Sequence, residues 1–190
     1  MNAKQLAAAT VAIAIAASTP PALAQDEQHE GDHPEVSPGL VRDVRQATQK
    51  FQDVNAATAA GYVSTENCVS GPSGGAMGVH YVNDTFIADG ALDARRPEVL
   101  VYEPHEGQLR LVAVEYLVDA QQWNAANAAP PVLGGQLFNY VSAPNRLRLP
   151  AYYELHVWAW KRNTSGSFAD WNPRVSCVQF TGNAGGSGGV

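Results

Sequence analysis

The hydrophobic pattern of the chain changes its period at Gly61, and this change decides the fold class. Before Gly61 the apolar residues recur with helical spacing, in a stripe made of Leu40, Val44, Ala47, Phe51 and Val54. With Ser37 as a cap and Pro38 at the first helical position, the stripe predicts one amphipathic helix over residues 38–60. After Gly61 the spacing becomes alternating, which is typical of strands.

Four segments are predicted to be strands because they carry β-branched and aromatic residues between turn signals: residues 77–82, 99–103, 109–118 and 153–160. A turn at residues 104–108 joins the second segment to the third and predicts an antiparallel hairpin. Residues 123–149 are predicted to form long loops with no more than one short strand, residues 163–173 another loop, and residues 175–180 a last strand. We therefore expect an α+β fold, in which the N-terminal helix packs on a curved antiparallel sheet or small open barrel.

The first 24 residues have the composition of an export signal. Lys4 provides a positive start, residues 6–17 are a run of small and mostly apolar residues, and Ala22-Leu23-Ala24 has the small-x-small pattern of a cleavage site. The run is shorter than the roughly 20 apolar residues that span a bilayer. We expect cleavage after Ala24 and release into the periplasm or outside the cell.

The rest of the chain divides by composition. Residues 25–37 are predicted to be a flexible acidic leader, residues 38–181 a single α+β domain, and residues 182–190 a disordered glycine-rich tail. The net charge of −6 argues against nucleic acid or an anionic membrane surface as a partner. No second apolar segment is long enough for membrane insertion. The partner that we expect is a small molecule, and the oligomeric state stays open.

The chain contains two cysteines, Cys68 and Cys177. In an oxidising compartment an even pair predicts a disulfide, which here joins the end of the domain to its beginning. The alternatives are a metal thiolate and a redox pair. Neither cysteine lies in a Cys-x-x-Cys motif or has a histidine at ligand spacing, so we favour a structural disulfide.

Two histidines and two glutamates lie in the predicted strands: His80, Glu103, Glu115 and His156. Glu115 is the most informative of them, because both faces of its strand are largely apolar and shield its carboxylate from water. A shielded carboxylate needs a cation, a metal ion or hydrogen-bond donors, or else it takes up a proton. Inside a curved sheet the four side chains can converge.

Two imidazoles with one or two carboxylates suit Zn²⁺, Mn²⁺ or Fe²⁺ in open catalytic sites. The four residues therefore predict a divalent-metal site of cupin-like logic, which polarises a substrate oxygen or activates water. In this hypothesis Glu103 is a fourth ligand or a general base. The alternative is structural: both histidines are ordinary core residues, and Glu115 pairs with a nearby arginine or with Lys161.

Tryptophans form a second cluster around the loop at residues 163–173, namely Trp158, Trp160 and Trp171. If exposed, they are a platform for a carbohydrate or an apolar ligand; if buried, they fill the core. Alternation places Trp158 and Trp160 on one face, so we expect these two to pack together. A non-catalytic binding module and a structural envelope protein are thus the alternatives to a metal-dependent protein or enzyme.

Several segments have the character of a family signature: MGVHYVN (77–83), LVYEP (100–104), RLVAVEYLV (110–118), YELHVWAWKRN (153–163) and SGSFADWNPRVSC (165–177). Through these motifs the chain resembles an uncharacterised family of small secreted bacterial proteins over residues 61–177. The resemblance implies export and a shared fold, and no particular reaction. The chain is also faintly similar to plant oil-body-associated proteins, with which Glu115 and His156 align.

Overall fold

The computed structural model describes residues 38–64, 67–71, 74–145 and 147–182. The predicted export signal, the predicted acidic leader and residues 183–190 of the predicted tail lie outside the described residues. Among the helices that are described, none combines the length and the apolar character needed to cross a bilayer.

The N-terminal helical segment is divided into two helices. α1 spans Pro38–Thr48, a 3-10 turn spans Gln49–Gln52, and α2 spans Val54–Ala59. The single helix predicted here is interrupted at Asp53, whose backbone is extended and whose side chain accepts a hydrogen bond from the Asn55 N–H at 2.9 Å. An aspartate with this contact caps the start of a new helix. The apolar stripe continues across the break, so the hydrophobic pattern alone does not reveal it.

The strands of the described ranges are β1 (Val63–Ser64), β2 (Val69–Ser70), β3 (Ala76–Val82), β4 (Val99–His105), β5 (Gln108–Asp119), β6 (Val132–Leu133), β7 (Gln136–Leu137), β8 (Asn139–Val141) and β9 (Tyr152–Val157). The central sheet has the order β1-β3-β4-β5-β9-β8 with antiparallel neighbours, and β2 also pairs with β3. β6 and β7 form a separate hairpin. Helix α3 (Asp84–Asp89) follows β3, and α4 (Ala120–Ala126) follows β5. The predicted α+β class is confirmed.

The predicted hairpin is formed by β4 and β5. Its turn residues, Glu106 and Gly107, have φ angles of 51° and 74°. Two consecutive positive φ angles match the twist of the flanking strands. Further along the hairpin, Val101 is opposite Ala113 but Tyr102 is opposite Leu111, so β5 contains one extra residue in a β-bulge.

The sheet has a hydrophobic cluster on each side. The larger cluster, on the side that we call the helix side, includes Leu40, Val44, Phe51, Val79, Tyr81, Leu100, Val114 and Tyr116. The smaller cluster, on the side that we call the loop side, includes Val82, Val99, Val101, Ala113, Trp158 and Val175. Each long central strand is therefore buried on both faces, which explains its nearly continuous apolar sequence.

The C-terminal segment differs from the strand predicted at residues 175–180. The Val175 N–H donates to the Asn172 carbonyl and the Phe180 N–H to the Cys177 carbonyl, both across three residues, so this segment forms turns. The predicted disulfide between Cys68 and Cys177 is confirmed, with Cα atoms 5.6 Å apart. It fixes a segment that has no strand pairing of its own.

Residues 123–149 contain more regular structure than predicted. They include most of α4 and the three short strands β6, β7 and β8. The Asp119 side chain starts α4 by accepting a hydrogen bond from the Gln122 N–H at 2.7 Å. The strands are only two or three residues long, which is too short for an alternating pattern to be recognised.

Candidate metal centre

His80 reaches the site from the middle of β3. Val79 and Tyr81, its neighbours in the strand, belong to the helix-side cluster. Because side chains alternate along a strand, His80 points to the loop side. It is only 1% exposed there.

Glu115 of β5 and His156 of β9 are directly opposite each other in the antiparallel ladder. His80 is two strands away from Glu115, because β4 lies between them, with Val101 opposite His80 and Val99 opposite Glu115. Neighbouring strands are about 4.8 Å apart, so the backbones of β3 and β5 are separated by roughly 10 Å. The long histidine and glutamate side chains close this distance above the valines of β4.

The three side chains converge on one point. The His80 Nε2 atom lies 3.6 Å from the Glu115 Oε2 atom, and the His156 Nε2 atom lies 3.7 Å from the same oxygen. One potential ligand atom from each residue lies within 4.8 Å of the other two. The two imidazole rings are nearly perpendicular, with centroids 6.2 Å apart. The arrangement presents two nitrogens and one oxygen toward a common space.

These separations fit a shared metal ion better than direct hydrogen bonds. A hydrogen bond between a charged N–H and a carboxylate is about 2.7–2.9 Å long. In contrast, two donor atoms that each bind a tetrahedral ion at about 2.1 Å lie about 3.4 Å apart. The observed 3.6 and 3.7 Å are close to the second value. All three side chains are fully buried, so small side-chain shifts are less available to them than to a partly exposed group. The described residues are therefore compatible with a divalent-metal site on a β-scaffold.

The net charge of His80, Glu115 and His156 affects stability because all three side chains are buried. Glu115 and His156 are 0% exposed. An ionised carboxylate in such a position is strongly destabilised without a compensating positive charge. A protonated imidazole supplies one positive charge, and a divalent cation supplies two while binding both neutral imidazoles. Both solutions are consistent with the residue types and with burial.

A second group adjoins the first on the other edge of the His156 ring. The His156 Nδ1 atom lies 3.7 Å from the Asp170 Oδ1 atom, and potential ligand atoms of Glu154, His156 and Asp170 lie within 4.8 Å of one another. Glu154 is buried on the same face of β9, whereas the Asp170 side chain is 34% exposed. His156 thus lies between a fully buried carboxylate and one that reaches solvent.

Glu103 lies apart from the converging group, although it was predicted to be a fourth ligand or a general base. Its Oε2 atom accepts a hydrogen bond from the Lys161 Nζ atom at 2.5 Å, and its Oε1 atom accepts one from the Ser176 N–H at 3.2 Å. Glu103 is on the loop side, as alternation indicates, but two residues further along β4 than Val101. Its contacts join the hairpin to the segment after β9 and to the C-terminal turns.

The three tryptophans predicted as a ligand platform pack against the protein. Trp158 is 5% exposed, and its Nε1–H donates to the Ala169 carbonyl at 2.6 Å. Trp160 turns to the helix side, where its Nε1–H donates to the Thr48 hydroxyl at 3.0 Å. The expectation that Trp158 and Trp160 pack together is wrong, because β9 ends before them and alternation no longer applies.

Trp171 is half-buried, and its ring lies close to the backbone of Gly71 and Gly74. Trp158 also packs beside the candidate metal centre: its ring is nearly parallel to that of His156, with centroids 6.4 Å apart. Trp158 thus borders the site, Trp171 packs on the loop at Gly71 and Gly74, and Trp160 lies on the other side of the sheet. Trp158 is buried, whereas Trp160 and Trp171 are each partly exposed, on different parts of the surface.

Two acidic residues of interest were not singled out from the sequence. Asp170 lies in a loop, where no periodicity predicts the direction of a side chain. Glu98 lies just before β4 and is fully buried, and burial is the main reason that its pKa is raised to about 8. The Leu117 N–H donates to its Oε2 atom at 3.1 Å. Its position after a proline, at the start of an apolar strand, is the only sequence signal for this burial.

Comparison of the chain with protein-family models, with curated proteins and with solved structures found no match. The chemistry of the site is therefore inferred from its own residues and their geometry.

Proposed function

We propose that this protein binds one divalent transition-metal ion through His80, Glu115 and His156. The observation that carries the proposal is the spacing of the three ligand atoms, which matches donors around one ion. The strands hold each ligand at a fixed register, so the site is preorganised by the sheet. Such an ion also supplies the positive charge that a buried Glu115 carboxylate requires.

The ligand set narrows the choice of metal. Imidazole nitrogen and carboxylate oxygen suit Zn²⁺, Mn²⁺ and Fe²⁺, whereas Ca²⁺ and Mg²⁺ prefer oxygen ligands alone. Three protein ligands leave a coordination position for a small molecule, as in catalytic metal sites of cupin-like logic. When bound, the ion would act as a Lewis acid toward that molecule. Because the ligands are buried, we propose that the molecule has only a few atoms.

We also propose a cellular location for the protein. The disulfide between Cys68 and Cys177 is typical of an oxidising, extracytoplasmic location. We propose that residues 1–24 direct export and are removed after Ala24, and that the protein works in the periplasm or outside the cell.

Metal content and affinity of the purified protein test the proposal. The protein is prepared without a histidine tag, stripped with a chelator, reloaded with Zn²⁺, Mn²⁺ or Fe²⁺, and assayed for bound metal and by chelator competition. We expect one ion per chain. We also expect His156→Ala and His80→Ala each to weaken metal binding by more than about 100-fold. Loss of a residue that only hydrogen-bonds to a metal ligand weakens binding by about 10–100-fold, so a larger effect identifies the two histidines as direct ligands.

His105→Ala is the matched control. His105 is partly exposed at the end of β4, next to Glu106, and lies outside the converging group. This variant should bind one ion with wild-type affinity. Circular dichroism establishes that all variants are folded. Wild-type protein that retains much less than one ion per chain, or a folded His156→Ala variant with wild-type affinity, would contradict the proposal.

A further inference from the structure

The second carboxylate beside His156 has a role that the three-ligand site does not include. We propose that Asp170 is a positioning residue: its carboxylate accepts the Nδ1 proton of His156 and so directs the Nε2 atom to the metal. This inference rests on the proposed function, and it extends the site from the sheet to the loop that follows β9.

The two nitrogens of His156 face different carboxylates. The Nε2 atom is 3.7 Å from the Glu115 Oε2 atom, and the Nδ1 atom is 3.7 Å from the Asp170 Oδ1 atom. A neutral imidazole carries one proton and therefore has one donor and one acceptor nitrogen. If Nε2 binds the metal, Nδ1 must carry the proton, and Asp170 is placed to accept it. A shift of about 1 Å by the partly exposed Asp170 side chain makes this contact a hydrogen bond.

The loop around Asp170 is held by hydrogen bonds on both sides. The residue before it, Ala169, accepts from the Trp158 indole N–H at 2.6 Å. The residue after it, Trp171, accepts from the Asn163 side-chain amide at 2.9 Å. The Asn139 amide lies 3.5 Å from the Asp170 Oδ1 atom as a further donor. Asp170 is thus an anchored acceptor, even though its side chain reaches solvent.

A second metal ion bound by Glu154, His156 and Asp170 is the competing explanation for this group. With both sites filled, His156 would have to bind a metal through each nitrogen, which requires the loss of both ring protons. A neutral imidazole has only one acceptor nitrogen. Metal-binding histidines commonly donate the other N–H to a carboxylate, which fixes the orientation of the ring. The chemistry therefore favours one ion, with Asp170 outside its coordination shell.

The test compares Asp170→Ala and Asp170→Asn with Glu106→Gln, which removes one negative charge from the exposed hairpin turn. Chelator competition gives the Zn²⁺ affinity and the number of bound ions. Nitrogen-15 NMR of histidine gives the His156 tautomer in both the metal-free and the Zn²⁺-loaded protein. We expect Asp170→Ala to weaken binding by about 10–100-fold at one ion per chain. Asp170→Asn, whose amide oxygen still accepts a hydrogen bond, should restore part of the affinity, and Glu106→Gln should leave it unchanged.

The tautomer separates this inference from the metal site itself. We expect metal-free wild-type protein to carry the His156 proton on Nδ1, and Asp170→Ala to shift the population toward the Nε2–H form. This result supports the role of Asp170 even if Zn²⁺ fails to bind. Unchanged affinity together with an unchanged tautomer in Asp170→Ala would overturn the inference. So would two bound ions in the wild type that fall to one in this variant.

Discussion

The two sides of the central sheet bury polar groups in different ways. On the helix side, the hydroxyls of Tyr62, Tyr102 and Tyr116 donate to the backbone carbonyls of Pro97, Phe51 and Ala94, each at 2.7 Å. On the loop side, His80, Glu115 and His156 face one another at 3.6–3.7 Å. The tyrosines make ordinary hydrogen bonds that tie the sheet to neighbouring segments. The spacing of His80, Glu115 and His156 is compatible with ligands around a shared ion.

Two buried glutamates show the same contrast. Glu98 accepts a backbone N–H, and burial raises its pKa to about 8, so it stays largely protonated at neutral pH. Glu115 lies between two imidazoles instead. Glu98 is thus a neutral, hydrogen-bonded group of the core, whereas Glu115 has the surroundings of a candidate metal ligand. The helix side should therefore control stability, and the loop side should control metal binding.

The largest effect is expected from a cavity on the helix side. Leu100 is fully buried in the helix-side cluster. Leu100→Ala should lower the free energy of unfolding by about 3 kcal/mol, because it removes apolar contacts and leaves a cavity. Urea unfolding of the metal-free protein measures this loss. The folded variant should still bind one metal ion per chain. If it is folded and binds no metal, the two sides of the sheet do not have the separate roles that we propose.

The next largest effect concerns Glu115 and appears only when metal is present. At a free metal concentration 100 times the Kd, the wild type should gain about 2.7 kcal/mol of stability from binding. Glu115→Leu should lose this gain. In its metal-free form the two histidines that face Glu115 can both be neutral, so loss of the carboxylate leaves no unpaired buried charge and should change the stability little. Thermal unfolding with and without metal tests both parts, and a large loss of stability in the metal-free variant would assign Glu115 to the fold.

A third prediction uses the pH dependence of Glu98. Its pKa is about 8 in the folded protein and 4.5 in the unfolded chain, so the folded form holds the proton more tightly. The contribution of Glu98 to stability is therefore full below pH 4.5 and is lost as the pH rises toward 8. Glu98→Gln should be more stable than the wild type at pH 6, on the order of 2 kcal/mol, with the difference shrinking toward pH 5. Urea unfolding of the metal-free proteins over this range measures it, and a constant difference would contradict it.

The smallest effect is expected from one tyrosine hydroxyl. Tyr116→Phe removes the hydrogen bond to the Ala94 carbonyl and keeps the buried ring. The free energy of unfolding should fall by about 1 kcal/mol, as is usual for one hydrogen bond. Metal affinity should not change. If the free energy of metal binding changes by more than the free energy of unfolding, the two sides of the sheet are coupled through β5.

The sequence predicts the core of the candidate site because strands have a simple geometry. Alternation along three apolar strands placed His80, Glu115 and His156 on inward faces, and the structure brings these three together. The same rule put Glu103 on the correct side but gave no information on its position along the sheet. Pairing with Lys161 depends on the turn after β9, which alternation does not describe.

The parts that the sequence does not predict depend on loops and caps. Asp170 comes close to His156 through a loop whose course is set by side-chain amides and an indole. The break at Asp53 is a local capping contact inside a continuous apolar stripe. The burial of Glu98 depends on which segments cover the start of β4. None of these follows from a repeating pattern of hydrophobic residues.

Anomalous diffraction from crystals of the Zn²⁺-loaded protein locates the bound ion relative to His80, Glu115 and His156. We expect a single strong peak on the loop side of the sheet, about 2.0–2.2 Å from the His80 Nε2, Glu115 Oε2 and His156 Nε2 atoms. We also expect the peak to disappear in crystals of Glu115→Leu. A peak located away from these three atoms, or none in crystals grown with saturating Zn²⁺, would contradict the proposed metal site.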